Sequence, residues 1–276
     1  MREAQPFKNR VVIVTGASRG VGRATAIRLG EQGAAVACVA RATDATRLKL
    51  PGTVDETARA VNAAGGEGLA VPCDLSKPDR IEAMVNTVMA HFGGIDALVN
   101  NAAVTFAGDL DLELKRYELT FAINTTAPLL ATRLCRPHLA DRNGRIVNVS
   151  SAAALAFYSP MMAYGMSKIA LEHLTVSSAA ILAGDKIAVN CFRIDTAVAS
   201  EGFMMNSPDA DHSTWVSTAV AAEGIVWMLS QPTTYTGRLE SMVALARREG
   251  IMAEIAHNRG PDPSSPWSLD RARGLA

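Results

Sequence analysis

The chain has 276 residues, of which 49% are hydrophobic and 20% charged, as is typical of a folded globular protein. Its 27 basic and 27 acidic residues cancel, which argues against a nucleic-acid or anionic-membrane partner. The sequence lacks an apolar run long enough to span a membrane, and its five histidines and four cysteines show no metal-ligand spacing, so we expect a metal-free protein of the reducing cytoplasm.

Short runs of branched apolar residues alternate with segments of helical periodicity. The runs predict strands at 11–15, 34–40, 68–74, 95–100, 144–150 and 186–192. The segments between them predict helices at 20–32, 53–64, 77–92, 111–138 and 160–182. This alternation is typical of βαβ units, so we predict one α/β domain at 1–245, with a doubly wound parallel sheet of about seven strands and helices on both faces.

Two later segments lack this pattern. Periodicity is lost near 195–215, which indicates a loop or lid. Residues 246–276 are polar and contain several prolines and arginines, so we expect a C-terminal arm that is extended or partly disordered.

The first predicted strand leads into TGASRGVG, which places Gly16, Gly20 and Gly22 between a strand and a helix. Glycine allows the backbone to turn sharply and to approach a pyrophosphate, which then lies at the positive end of the helix. The pattern therefore indicates a dinucleotide cofactor, with a tight strand–helix connection that binds nothing as the alternative.

The end of the second predicted strand bears on which cofactor binds. An acidic residue there would bind the ribose 2′-hydroxyl of NAD, but this chain has Ala40 followed by Arg41. Arg19, in the glycine turn, is a second cation close to the same place. Two guanidinium groups can pair with a 2′-phosphate, which favours NADP(H) over NAD(H). The alternative is that Arg41 faces solvent or pairs with Asp44.

Tyr164 and Lys168 are four residues apart in a predicted helix and therefore share one face. Tyrosine, with a pKa of about 10, is a poor base at neutral pH. We expect the neighbouring ammonium, together with an oxidised nicotinamide, to lower that pKa. The pair would then move a proton to or from a carbonyl or alcohol oxygen while a hydride moves to or from the nicotinamide.

Pro128 interrupts the predicted helix 111–138. It has no N–H to donate to the carbonyl of Asn124, four residues earlier. That carbonyl is then free to hold a water that relays protons towards Lys168. A simple bend of the helix around the sheet is an equally good interpretation.

In this order, these motifs resemble the short-chain dehydrogenase/reductase family over roughly residues 8–245. The long loop at 45–57 is similar to that of a hydroxysteroid-dehydrogenase-like subgroup. The resemblance implies a Rossmann fold and a homodimer or homotetramer built from the helices at 111–138 and 160–182. It implies four catalytic residues, which are Asn124, Ser151, Tyr164 and Lys168. It places the cofactor against Gly16, Ser18, Arg19, Gly20, Val21, Gly22, Arg41, Asp74, Leu75, Asn101, Ala102, Tyr164, Lys168 and Thr196.

The chain departs from the family pattern after the sixth predicted strand, where Ile194 and Asp195 replace a Pro-Gly pair. Either Thr196 or Ser200 would supply the hydroxyl that contacts the nicotinamide carboxamide. In the NNAA stretch at 100–103, Ala103 replaces the usual glycine.

The resemblance implies an NADP(H)-dependent oxidoreductase that transfers a hydride between nicotinamide and an apolar ketone or secondary alcohol, with Tyr164 as acid and base. Ser151 would bind the substrate oxygen and stabilise its developing charge. Two alternatives remain: a 3-oxoacyl-thioester reductase and a non-catalytic NADP-binding regulatory protein. We expect an apolar substrate pocket formed by Phe157, Met161, Met162, Phe203, Met204 and Met205.

Overall fold

A computed structural model describes residues 5–258 and 268–269 of the chain. Within them, one parallel sheet of seven strands has the order β3-β2-β1-β4-β5-β6-β7. The strands are β1 (Val11–Thr15), β2 (Ala35–Ala40), β3 (Glu67–Pro72), β4 (Ala97–Asn100), β5 (Arg145–Ser151), β6 (Ala188–Ile194) and β7 (Leu239–Ser241).

The helices lie on both faces of this sheet. They are α1 (Gly20–Glu31), α2 (Val54–Ala63), α3 (Pro78–Phe92), α4 (Leu114–Phe121), α5 (Ala127–Ala140), α6 (Met162–Leu182), α7 (Glu201–Asn206), α8 (Thr218–Ser230) and α9 (Met242–Glu249). The predicted fold, a doubly wound parallel sheet of about seven strands, is confirmed.

The sheet separates two apolar cores, because successive side chains of a strand point to opposite faces. In β1, Val12 packs with Leu29 into a core covered by α1, α2, α8 and α9. Ile13 instead packs with Ile81 into the core beneath α3, α5 and α6. Burial on both faces explains why the strands consist of continuous apolar runs rather than alternating ones.

The helix predicted at 111–138 is divided. Between α4 and α5 the chain forms a π-helical turn at Ala122–Thr126, in which the Ala127 N–H donates to the Ala122 carbonyl five residues earlier. Pro128 lies in the first turn of α5, where a missing N–H is tolerated. The break predicted from Pro128 therefore takes the form of a wide turn that contains Asn124.

The segment predicted as a loop at 195–215 contains regular structure. The Ser200 hydroxyl accepts a hydrogen bond from the Phe203 N–H at 3.3 Å and caps α7. The Phe203 ring stacks on Trp215 with centroids 4.5 Å apart. The six residues of α7 are too few to show helical periodicity in the sequence.

The predicted arm at 246–276 also begins differently. Helix α9 runs across the predicted boundary, and Ala246 is buried in the core. Farther along, the Leu269 N–H donates to the Leu155 carbonyl at 2.8 Å, which brings this part of the chain beside the end of β5. The rest of the predicted arm, 259–267 and 270–276, lies outside the described residues.

Candidate active site

One cavity of about 750 Å³ lies at the carboxyl ends of the strands, where their order reverses between β1 and β4. Of the residues predicted for catalysis and cofactor binding, only Gly22 and Asn124 do not line it. Those that do are Gly16, Ser18, Arg19, Gly20, Val21, Arg41, Asp74, Leu75, Asn101, Ala102, Ser151, Tyr164, Lys168 and Thr196.

The glycine turn between β1 and α1 fits tightly against the residues after β4. Gly16 has a φ of +70°, and a Cβ there would lie 2.8 Å from the Cα of Ala102. A Cβ on Gly22 would lie 2.4 Å from the side-chain nitrogen of Asn101. Gly22 therefore does not line the cavity but allows the close packing beneath it, which a residue with a side chain would prevent.

The residues present fit a diphosphate at this turn. The N-cap residue of α1, Arg19, provides no side-chain hydrogen bond to the helix, and no other side chain among residues 5–258 and 268–269 accepts from its first-turn N–H groups. Such N–H groups, with the helix dipole behind them, favour an anion.

The end of β5 and helix α6 place the predicted acid–base residues together. The Lys168 Nζ lies 5.5 Å from the centroid of the Tyr164 ring and donates to the Val149 carbonyl at 2.8 Å. Ser151, the last residue of β5, lines the same cavity, and its hydroxyl accepts from the Ala153 N–H at 3.3 Å. The three side chains thus form one polar group in a largely apolar wall.

Burial dominates the ionisation of both α6 residues. It raises the pKa of Tyr164, although the nearby Ser151 hydroxyl opposes the shift. It lowers the pKa of Lys168 to about 8. The lowering expected from Lys168 together with an oxidised nicotinamide stays a prediction, because in the protein alone burial raises the pKa of Tyr164.

Asn124 does not reach the cavity and instead joins two of its walls. Its Oδ1 accepts from the Val104 N–H at 2.9 Å, and its Nδ2 donates to the Val104 carbonyl at 2.9 Å and to the Ser167 hydroxyl at 3.0 Å. Ser167 in turn donates to the Tyr164 carbonyl at 2.7 Å. The side chain of Asn124 therefore holds the loop after β4 against the helix that carries Tyr164.

A buried ion pair, which the sequence did not suggest, lies behind the acid–base residues. Arg193 of β6 donates two hydrogen bonds, 2.9 and 2.7 Å long, to the Glu172 carboxylate of α6. The Ser150 hydroxyl donates to the same carboxylate at 2.8 Å, whereas the Ser151 hydroxyl accepts from the Ala153 N–H. The available signal was the spacing of Tyr164, Lys168 and Glu172 at i, i+4 and i+8 on one helix.

The arginines predicted to favour NADP(H) both line the cavity. Arg19 donates from Nε to the Pro51 carbonyl at 2.8 Å and from Nη2 to the Leu50 carbonyl at 3.0 Å. Arg41 is exposed and has no ion-pair partner among residues 5–258 and 268–269. The alternative pairing of Arg41 with Asp44 does not occur.

The carboxylate of Asp44 serves the loop after β2 instead. It accepts from the Thr53 hydroxyl at 2.7 Å and from the Arg59 guanidinium at 2.9 Å. Asp74, at the end of the next strand, accepts from the N–H and the hydroxyl of Ser76 at 3.0 and 2.8 Å. Both carboxylates therefore have other partners, and neither forms an ion pair with Arg41 among the described residues.

Half of the six residues predicted for an apolar substrate pocket line the cavity. Met161, Phe203 and Met205 line the cavity, whereas Phe157, Met162 and Met204 do not. Sequence reasoning could not tell which face of each short segment points inward. It also missed several lining residues on neighbouring loops, namely Leu48, Leu50, Thr105, Phe106, Tyr158, Glu201 and Asn206.

Two features are absent from the described part of the chain. It contains no helix that is both long and apolar enough to cross a membrane. It also contains no group of three or more His, Cys, Asp or Glu side chains placed to hold a metal ion.

Comparison with known families gives the identification. The family model described as short chain dehydrogenase matches residues 10–203. The chain belongs to the short-chain dehydrogenase family. The resemblance inferred from the glycine turn and the Tyr164–Lys168 pair is thereby confirmed at the level of the family.

Relatives of this short-chain dehydrogenase include a hydroxysteroid dehydrogenase-like protein 2 from Danio rerio. It is 32% identical over 244 residues, which cover 87% of the chain and 58% of the relative. The human protein of that name is 30% identical over the same length and with the same coverage. The chain thus spans less than two thirds of the length of these curated relatives.

Solved structures of the family show both nicotinamide cofactors. A metagenomic short-chain oxidoreductase in complex with NADP has a TM-score of 0.72 and 29% identity, covering 86% of this chain and 98% of its own. A short chain dehydrogenase from Mycobacterium paratuberculosis bound to NAD has a TM-score of 0.74 and 26% identity, covering 86% and 97%. Similarity to these structures therefore does not decide between NADP and NAD, and the preference has to be inferred from the residues of this chain.

In this short-chain dehydrogenase, Asp195 stands in place of the family glycine and links two elements of the fold. Its carboxylate accepts from the Val243 N–H at 3.1 Å and from the Ser241 hydroxyl, so it ties the end of β6 to the start of α9. The two hydroxyls that follow both line the cavity. Thr196 accepts from the Asn258 amide at 3.0 Å and Ser200 from the Phe203 N–H at 3.3 Å, so each retains its O–H as a donor.

Proposed function

We propose that this short-chain dehydrogenase is an NADP(H)-dependent oxidoreductase that interconverts an apolar ketone and its secondary alcohol. The observation that carries the proposal is the meeting of Ser151, Tyr164 and Lys168 in one cavity with the glycine turn. Membership of the family supports the reaction type. The apolar side chains of Met161, Phe203 and Met205 in the lining of the cavity support an apolar substrate.

Each polar residue has a defined task in this proposal. Bound NADPH would supply the hydride. Tyr164, whose pKa is raised by burial, holds its proton at neutral pH and donates it to the substrate oxygen. Ser151 donates a hydrogen bond to the same oxygen as its negative charge develops. Lys168, held by the Val149 carbonyl, binds the cofactor ribose and places a positive charge beside the phenol.

The preference for NADP(H) over NAD(H) rests on how Arg19 is held. The loop carbonyls of Leu50 and Pro51 occupy the side of the guanidinium that bears Nε, which leaves the Nη1–Nη2 end available. That end has the geometry of a bidentate phosphate ligand. With Arg41 on the same cavity, it forms a two-cation site for a 2′-phosphate.

Two wider aspects belong to the same proposal. We propose a homodimer or homotetramer that uses the exposed faces of α4, α5 and α6. We also propose that the protein acts in the cytoplasm, where a reducing environment suits its four buried, unpaired cysteines.

The decisive experiment compares Tyr164→Phe with the wild type in NADPH oxidation against a panel of ketones and aldehydes. We expect the variant to lose at least about 10²-fold in turnover, the usual effect of removing an acid–base group. Its affinity for NADPH, measured by fluorescence titration, should stay unchanged because the ring remains. Tyr158→Phe is the matched control, since Tyr158 lines the same cavity and its loss should not affect turnover in this way.

Other outcomes would identify other functions. A wild type that binds NADPH but reduces no carbonyl would be the non-catalytic regulatory protein. A Tyr164→Phe variant with wild-type turnover would exclude Tyr164 as the acid. A wild type that binds NADH more tightly than NADPH would refute the cofactor preference.

A further inference from the structure

The start of helix α7 covers the glycine turn. A Cβ built on Gly20 would lie 3.3 Å from the Cβ of Ser200 and 3.6 Å from the Oε2 of Glu201. Gly20 is the first residue of α1, so a carboxylate group lies in near contact with the positive end of that helix. Glu201 also lines the cavity that holds the other predicted cofactor residues.

Hydrogen bonding does not explain why the Glu201 carboxylate lies there. Its Oε2 is buried and has no hydrogen-bond partner among the described residues. Burying a carboxylate oxygen without a partner is unfavourable. What favours the position is charge: Glu201 opposes the lowering of the Arg19 pKa that burial causes and to which Arg41 adds. The carboxylate is therefore held by the same positive groups that would attract a phosphate.

The Glu201 carboxylate and the diphosphate of a bound cofactor would then compete for the N-terminus of α1. The first-turn N–H groups of α1 have no side-chain acceptor in the described part of the chain, which suits them to a cofactor diphosphate. A carboxylate within a few ångströms of that diphosphate would repel it, and the repulsion is strong where water is largely excluded.

We infer that Glu201 is an electrostatic gate that weakens cofactor binding, so that α7 must carry its carboxylate away from Gly20 when the diphosphate binds. This inference rests on the proposed function, because it assumes that the cavity binds NADP(H). It assigns to Glu201 a role in setting the affinity for the cofactor, separate from the proton transfer assigned to Tyr164. It also links cofactor binding to the position of Phe203, which the same short helix carries into the lining of the cavity.

The test measures the dissociation constants of NADPH and NADH by fluorescence titration for the wild type and Glu201→Gln. Glutamine keeps the shape of the side chain and removes its charge. We expect both cofactors to bind roughly three- to thirtyfold more tightly, since both carry the diphosphate. Glu201→Ala should change affinity in the same direction. The gain should shrink as salt is added, because ions screen the repulsion.

Asp209→Asn is the matched control. It removes the same charge from the same segment at an exposed position and should leave both dissociation constants unchanged. If Glu201→Gln binds NADPH more weakly, Glu201 is a cofactor ligand and the gate is refuted. Unchanged affinity in both Glu201 variants refutes it as well. If neither the wild type nor any variant binds a nicotinamide cofactor, the proposed function fails, an outcome distinct from failure of the gate alone.

Discussion

Burial moves the pKa values of Tyr164 and Lys168 in opposite directions, and each shift favours the neutral form of the side chain. For Tyr164 this means that the proton stays on the phenol at neutral pH, as required of an acid in ketone reduction. For Lys168 it means that the ammonium is less stable than in water. The four-residue spacing predicted that the two side chains share a face, but the sign of the shifts depends on burial, which spacing does not reveal.

The lowered pKa of Lys168 leads to a prediction about stability. Between about pH 8, the pKa of Lys168 in the folded protein, and 10.5, the ordinary pKa of a lysine, the unfolded chain holds the lysine proton and the folded chain does not. The free energy of unfolding therefore rises with pH across this window, by at most about 3 kcal/mol. Lys168→Met should lack this rise, which urea unfolding at several pH values can measure.

Lys115→Met supplies the control for this experiment, since Lys115 is exposed on α4. Its unfolding free energy should follow the wild-type pH dependence. If the curves for the wild type and Lys168→Met run parallel from pH 8 to 10.5, then Lys168 is not a buried group with a lowered pKa.

At the scale of elements, the loop between β2 and α2 determines how Arg19 is presented. Gly52 has a φ of +93°, and a Cβ there would lie 2.2 Å from the Ser18 carbonyl oxygen. Thr53 caps α2 and donates its hydroxyl to Asp44, which fixes the loop to the helix. The carbonyls of Pro51 and Leu50 then hold the guanidinium of Arg19.

Gly52→Ala should therefore alter the choice of cofactor. The added methyl group would force the loop away from Ser18, and Arg19 would lose its two carbonyl partners. We expect NADPH binding to weaken by roughly three- to tenfold more than NADH binding. Only NADPH carries the 2′-phosphate, and a displaced Arg19 would lose part of the free energy of one charge-assisted hydrogen bond to it. Fluorescence titration with both cofactors measures this ratio.

Gly65→Ala separates this effect from backbone strain. Gly65 has a φ of +100°, similar to that of Gly52, but a Cβ there would meet nothing within 4 Å. Gly65→Ala should therefore destabilise the fold without changing the ratio of the two affinities. An equal loss of NADPH and NADH binding in Gly52→Ala would show that the loop does not act through Arg19.

The sequence was a good guide to the sheet and a poorer guide to the connections. Buried strands are continuous apolar runs, so their positions were predicted within about two residues. The π-helical turn at Ala122–Thr126 was not predicted, because Pro128 indicates where a helix is interrupted but not how. Helix α7 was predicted as loop because it is held by a serine cap and an aromatic stack rather than by an apolar face.

For the whole molecule, the reversal of strand order brings distant parts of the chain into one cavity. Gly16 and Thr196 both line it, although they follow the first and sixth strands. Family motifs predicted these residues because each motif is local. Contacts such as Glu201 against Gly20 belong to no local pattern, so only the assembled fold shows them.

The outer surface of the fold bears on the proposed oligomer. Helices α5 and α6 expose large apolar side chains that the core does not use, among them Leu129, Met166, Val176 and Ile181. A group of exposed apolar side chains on neighbouring helices is typical of a surface that another chain covers. We expect a second copy to bind here and the wild type to be a dimer or tetramer in solution.

Val176→Glu tests this expectation directly. Val176 is 47% exposed on α6, so a glutamate there costs the folded subunit little but would place a charge inside the proposed interface. We expect size-exclusion chromatography with light scattering to show a smaller species than the wild type. Leu110→Glu is the control, because Leu110 is 92% exposed and lies outside α5 and α6. A monomeric wild type would contradict the proposed oligomer. A Val176→Glu variant with the mass of the wild type would show that the interface does not include this face of α6.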